Sequence, residues 1–163
     1  MLESPDATWT GKQLGAVSPE VQTVTAKRIL VPVDGSACSI HALEYAARRQ
    51  RASDGLEILV LNVQPSIRPS RTLSRGLIAE HQSRNAEAAL KPALAAIKRL
   101  KLNTTPQVQI GNPAEVIVAF ARHRKCGEIV MGNSGLGAVA GLLLGSVARK
   151  VIFFARIPVV LVK

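Results

Sequence analysis

The sequence predicts an α/β domain built on a five-stranded parallel sheet with helices on both faces. Three observations carry that prediction. Short apolar runs rich in β-branched residues recur along the chain from residue 27 onward. Segments with helical spacing of apolar residues separate them. The 163 residues are 47% hydrophobic and 20% charged, which suits one domain with a core of its own. Strands that alternate with helices need right-handed crossovers, and such crossovers make a parallel sheet covered on both sides.

The elements follow in order. Residues 1–26 carry Glu3, Asp6 and Glu20 against Lys12, a net charge of −2, with Pro5, Gly11, Gly15 and Pro19 and no sustained period. They are expected to form a mobile extension outside the core. The domain proper is expected over residues 27–163. Arg28-Ile29-Leu30-Val31-Pro32-Val33 is the first strand, with Pro32 near its end because proline donates no ladder hydrogen bond. Asp34-Gly35-Ser36 turns the chain into a helix over 37–50, which Ser36 or Ser39 can cap.

Leu56 to Val63 is the second strand, after the turn signal Asp54-Gly55. A loop rich in Pro, Ser and Arg follows, then a long helix over 77–100 that Pro92 is expected to kink or split. Pro106 to Ile110 is a short third strand. Asn112, Pro113 and Glu115 read as N-cap, first helical residue and reciprocal capping partner of a helix over 114–125. Gly127 to Met131 is the fourth strand. A glycine-rich loop leads to a helix around 142–154, and residues 157–162 form the fifth strand.

Composition excludes several classes of function. The longest apolar stretches fall well short of the roughly 18 residues that span a bilayer. The first residues have neither the basic nor the apolar region of a secretory signal, so a reducing cytoplasm is the expected compartment. Cys38 and Cys126 are too few for a disulfide framework or a metal cluster. The net charge of +10 invites a polyanion. One Trp, one Tyr and three Phe make a poor base-stacking platform, so a nucleic acid partner is not expected.

Chemistry is expected beyond the C-terminal ends of the strands, where open parallel sheets bind ligands. Two stretches reach that edge: Pro32-Val33-Asp34, and the loop from Gly132 to Ser146. The loop has five glycines in 15 residues. Glycine lets backbone N–H groups approach an anion, and a glycine loop entering a helix N-terminus makes a phosphate cradle. By glycine content alone, a plain strand-to-helix connection reads equally well.

The spacing is more specific. Gly132, two residues, Gly135, nine residues, then Gly145-Ser146 reproduces G-x2-G-x9-G-[S/T], and the chain resembles the universal stress protein family in this motif. Residues 29–36, 142–148 and 158–162 are similar to that family's opening strand, last helix and final strand. The resemblance covers about residues 27–163. It implies a Rossmann-like fold of the adenine nucleotide alpha hydrolase-like type, with strand order 3-2-1-4-5 and ATP between the ends of strands one and four. It places Pro32, Val33, Asp34 and Val63 at the adenine and ribose. It places Met131, Gly132, Ser134, Gly135, Gly145, Ser146, Val147 and Ala148 at the ribose and phosphates. It allows Mg²⁺ or Mn²⁺ beside the phosphates, and it implies a homodimer paired through the last strand.

The chain departs from the pattern at Ser134, Leu136 and Gly141, each of which stands where the family is often basic. Arg68, Arg71 and Arg75, in the loop after strand two, are candidates to replace that charge by bidentate pairing with phosphate. A solvated loop is the plainer reading of those arginines.

The remaining candidates have ordinary readings. His41, His81 and His123 lack metal-ligand spacing. Cys38 falls in the first turn of a helix, but a lone cysteine more often serves as a small apolar residue. The loop has no G-K-[S/T] lysine, and no His or Glu to act as a base. The expected function is therefore that of an ATP-binding stress-response regulator with no catalytic residue and room only for slow hydrolysis. The alternative is a stress or adaptor module that acts through protein contacts without nucleotide.

Overall fold

The computed structural model describes residues 28–67, 69, 74–135 and 144–163. The expected extension, 1–26, lies outside the described residues. Five strands alternate with four helices: β1 (Arg28–Pro32), α1 (Ala37–Arg51), β2 (Glu57–Gln64), α2 (Arg75–Leu100), β3 (Gln107–Ile110), α3 (Pro113–His123), β4 (Glu128–Gly132), α4 (Ser146–Phe154) and β5 (Val159–Val162). They form one sheet in the order β3-β2-β1-β4-β5, with every pairing parallel. β1 lies at the centre, so its C-terminal end meets the topological switch point between β1 and β4.

Successive strand residues point to opposite faces, and the core divides accordingly. Ile29, Val31 and Val33 of the β1 segment, with Ile58, Val60 and Val130, pack against Ala42, Leu43 and Ala46 of α1 and Ala93, Ala96 and Ile97 of α2. Leu30, Leu59, Leu61, Ile129 and Met131 face the other way, onto Ala114, Ile117 and Ala121 of α3 and Ala148 and Val151 of α4. Small alanines on all four helices let the backbones come close to the sheet.

Two expectations are corrected. Pro92 does not split the long helix, since α2 runs unbroken from Arg75 to Leu100. One missing hydrogen bond and a ring clash cost about 3 kcal/mol. The buried stripe Ala86, Ala89, Ala93, Ala96 and Ile97 spans the proline and holds both halves on the sheet. Asn112 does stand at the N-cap of α3, but its side chain accepts no backbone bond there. Its amide instead donates to Glu115 Oε1 at 3.0 Å. Ser36 is the cap of α1, accepting from the Ser39 backbone N–H at 3.3 Å.

Charge is paired where it enters the body of the fold. Glu128 is buried and is met by Arg49, Glu44 is met by Arg99, and Arg28 reaches Glu57 at 2.6 Å. Among the described residues no helix is long and apolar enough to cross a membrane.

Candidate functional site

The site starts where β1 leaves the sheet. The Val33 N–H donates to the Leu61 carbonyl at 2.8 Å, and the Val33 carbonyl accepts from the Asn62 amide at 2.7 Å. Asn62 is 1% exposed, and its own carbonyl oxygen accepts from Gln64 Nε2 at 2.7 Å. A buried polar chain therefore holds the exit of β1 against β2. Asp34 then closes the turn, its Oδ1 accepting from the Ser36 backbone N–H at 3.0 Å and from Ser36 Oγ at 2.6 Å. Gly35 sits at φ +86°, with Ala89 of α2 so near that a Cβ would come within 3.0 Å of its Cα. Both the left-handed backbone and the close approach call for glycine.

The opposing wall comes from β4 and α4. Gly132 ends β4 against the first turn of α1, where a Cβ would lie 2.8 Å from the Cys38 carbonyl carbon and 2.9 Å from the Ser39 nitrogen. The Asn133 N–H donates to the Val162 carbonyl at 2.8 Å, and the Gly145 N–H donates to the Asn133 carbonyl at 2.7 Å. These bonds bring the two ends of the glycine loop together, although residues 136–143 between them lie outside the described residues. Ser134 Oγ donates to Asn133 Oδ1 at 3.2 Å and lies 3.4 Å from the half-buried Cys38 thiol. A Cβ on Gly135 would run into the Asp34 carboxylate and force that side chain to turn away. Gly145 is the N-cap of α4 and offers no side-chain cap. Having no side chain, Gly145 cannot itself cap the first N–H groups of that helix.

Between these walls lies a cavity of about 500 Å³, within the usual range of small-molecule sites. All of the residues singled out by the motif line it: Pro32, Val33, Asp34, Val63, Met131, Gly132, Ser134, Gly135, Gly145, Ser146, Val147 and Ala148. Sequence reasoning missed Ser39, Leu61, Pro113 and Ile117, which complete the wall. Pro113 and Ile117 were legible only as a helix start and an apolar helix face. The parallel order of the strands is what carries α3 over the end of β2.

The lining is chemically divided. Pro32, Val33, Leu61, Val63, Pro113, Ile117 and Met131 make an apolar floor, while Ser134, Gly135, Gly145 and Ser146 supply hydroxyl and backbone groups at one rim. Asp34 is the one charged residue among the described lining residues. Arg75 begins α2 as an exposed residue and is absent from that lining, whereas Arg68 and Arg71 lie outside the described residues. Among the described residues no group of three His, Cys, Asp or Glu side chains is placed to hold a metal ion.

This arrangement can take a flat apolar group on its floor and an anion at its glycine rim. Comparison with known proteins agrees with the geometry. The family model described as the universal stress protein family matches residues 25–163. A universal stress protein of Methanocaldococcus jannaschii is 34% identical over 139 residues, covering 84% of this chain and 82% of the relative. The solved structure of the universal stress protein from Archaeoglobus fulgidus in complex with dAMP is 25% identical, with TM-score 0.60, covering 83% of this chain and 97% of that one. A universal stress protein solved in complex with cAMP is also 25% identical, with TM-score 0.59, covering 83% and 96%. With a family match over nearly the whole described chain and a fold that repeats that of solved relatives, this chain belongs to the universal stress protein family.

Proposed function

We propose that the chain binds an adenine nucleotide, ATP foremost, in the cavity between β1 and β4, and acts as a nucleotide-dependent regulator in a stress response. One observation carries the reading. The uncapped N-terminus of α4, with Gly135, Gly145 and Ser146, opens onto the same cavity as a broad apolar floor. Backbone N–H groups and the helix dipole favour phosphate at that rim, and the floor suits a purine. Relatives solved with dAMP and cAMP support an adenine base in this fold.

Regulation is favoured over efficient catalysis by the side chains present. Asp34 is the lining carboxylate, and its Oδ1 already accepts two hydrogen bonds from Ser36. Mg²⁺ or Mn²⁺ enters the reading as a companion of the phosphates, held largely by their oxygens. The reading places the protein in a reducing cytoplasm, in keeping with Cys38 and Cys126 as free thiols. Mass spectrometry of the purified chain, followed by equilibrium dialysis, tests the proposal. Co-purified or dialysable ATP is expected. Absence of any adenine nucleotide binding at about 1 mM, the weak end of specific affinity, would overturn it.

A protein-contact role is favoured by a separate observation, and the partner proposed is a second copy of this chain. β5 is an edge strand with Leu161 at 37% exposure, and α4 presents Ile152, Phe153 and Phe154 outward, Phe153 at 82%. An apolar edge with unpaired backbone groups is a template for strand pairing, and a two-fold axis would pair like with like. Nucleic acid and membrane partners have no part in this reading. Sedimentation should show a dimer that Leu161→Lys converts to monomer, and a monomeric parent at tens of micromolar, roughly the range of transient interfaces, would refute it.

A further inference from the structure

A second cavity of about 430 Å³ abuts the first, sharing Pro113, Ser146 and Val147 as a common wall. Its outer side is formed by Pro65 and Ser66 after β2, by Gly111 and Asn112 before α3, and by Lys150 one turn into α4. The two loops are fixed in place. The Gly111 N–H donates to the Gln64 carbonyl at 2.9 Å, and Gln82 Nε2 donates to the Pro65 carbonyl at 2.9 Å. Helical side chains lean toward the N-terminus, so Lys150 is directed back along α4 toward Ser146. It makes no ion pair among the described residues. The nearest acid by sequence position at this wall, Glu115, is engaged by the Asn112 amide at 3.0 Å.

We propose that this second cavity is an anion subsite of the nucleotide site, with Lys150 as its cation. Among the described residues the main cavity has one charged lining residue, and that residue is acidic. A ligand with more than one phosphate therefore meets its first described cation in the second cavity, past the shared wall of Pro113, Ser146 and Val147. The subsite takes an anionic group that extends beyond the first phosphate. Two sources share that chemistry: further phosphates on the 5′ chain, or a phosphate on the 3′ hydroxyl. The inference rests on the adenine-nucleotide reading and adds a specificity-determining residue to it. Ser66, Asn112 and Ser146 are the neutral polar residues of the same lining.

The test is calorimetric titration of the full chain and of Lys150→Ala with adenosine, AMP, ATP and adenosine 3′,5′-bisphosphate. Lys150 is exposed and alanine suits a helix, so the variant should fold like the parent. Adenosine should bind both proteins alike. In Lys150→Ala the affinity gained from the additional phosphate should fall by about tenfold or more, as expected for loss of a charge-assisted hydrogen bond. A loss confined to ATP assigns the 5′ chain, and a loss confined to the bisphosphate assigns the 3′ group. Lys150→Arg should restore the gain. If adenosine and AMP bind but Lys150→Ala keeps both gains, the subsite is wrong and the nucleotide reading stands. If no adenine ligand binds the parent chain, the nucleotide reading falls and takes the subsite with it.

Discussion

Gly132 is where the site and the fold press hardest on each other, and Gly132→Ala tests that pressure. A Cβ there would meet three atoms of the first turn of α1 at 2.8, 2.9 and 2.9 Å, two of them backbone. Ordinary contact begins at 3.4 Å, so α1 and β4 would have to separate by the difference, about 0.6 Å at the closest pair. Neither side yields easily. β4 is hydrogen-bonded between β1 and β5, and α1 is packed on the sheet through Ala42, Leu43 and Ala46. Overpacking of this kind costs about 1–3 kcal/mol. For a chain of this size each kcal/mol moves Tm by roughly 2–4 °C, so a fall of about 2–12 °C is expected. Urea denaturation should show a lower midpoint at unchanged slope. Adenine-nucleotide affinity should fall too, because Ser39 in the displaced turn lines the cavity. Gly76→Ala is the matched control. Its Cβ would approach only Ser74 Oγ, at 3.9 Å, and helix propensity should leave stability unchanged or raise it by up to about 1 kcal/mol. If Gly132→Ala melts like the parent while Gly76→Ala behaves as stated, the claimed close approach of β4 and α1 is wrong.

Three further outcomes are expected. Asn62→Leu removes the donor to Val33 and the acceptor of Gln64 inside a buried chain, and should cost about 1–3 kcal/mol by urea denaturation; an unchanged midpoint would show that neither bond matters. Burial pushes the Cys126 thiol up, against the pull of Arg28 and Arg124, so the folded pKa lies above the unfolded one. Its contribution to stability is then intact below roughly pH 8.5 and lost as pH rises through the folded value. Relative to Cys126→Ala, the parent should lose Tm faster as pH rises above about 8.5, and parallel curves would contradict this. A chain beginning at Thr25 should match the full chain in Tm, since residues 1–26 carry the composition of an extension; a drop of more than about 5 °C, beyond the shift expected from roughly 1 kcal/mol, would show that the extension packs on the core.

What the sequence determined by itself was whatever depends on neighbours along the chain. β-branched runs such as Ile29-Leu30-Val31 and Ile58-Leu59-Val60 alternate with amphipathic segments, and that alternation alone requires parallel strands. The order 3-2-1-4-5 came from resemblance, carried by the spacing of Gly132, Gly135, Gly145 and Ser146, because glycines that admit a phosphate are needed at fixed intervals on one loop. Tertiary structure decided the rest, for reasons of reach and packing. Pro92 looked like a kink or a break, and the break is absent: local rules count only the lost hydrogen bond, not the alanine stripe on either side of it. Ser39, Leu61 and the α3 pair Pro113 and Ile117 come from three different elements with no spacing in common between them, so only the folded sheet could gather them into one wall. Nothing along the chain marks Asn62, because the carbonyl that its amide meets belongs to Val33, 29 positions earlier. Lys150 carries no motif in the sequence. It became a candidate cation only when α4 was laid beside the loops that follow β2 and β3. Local chemistry is written in residue intervals, whereas a cavity is a relation among segments that the chain visits at different times.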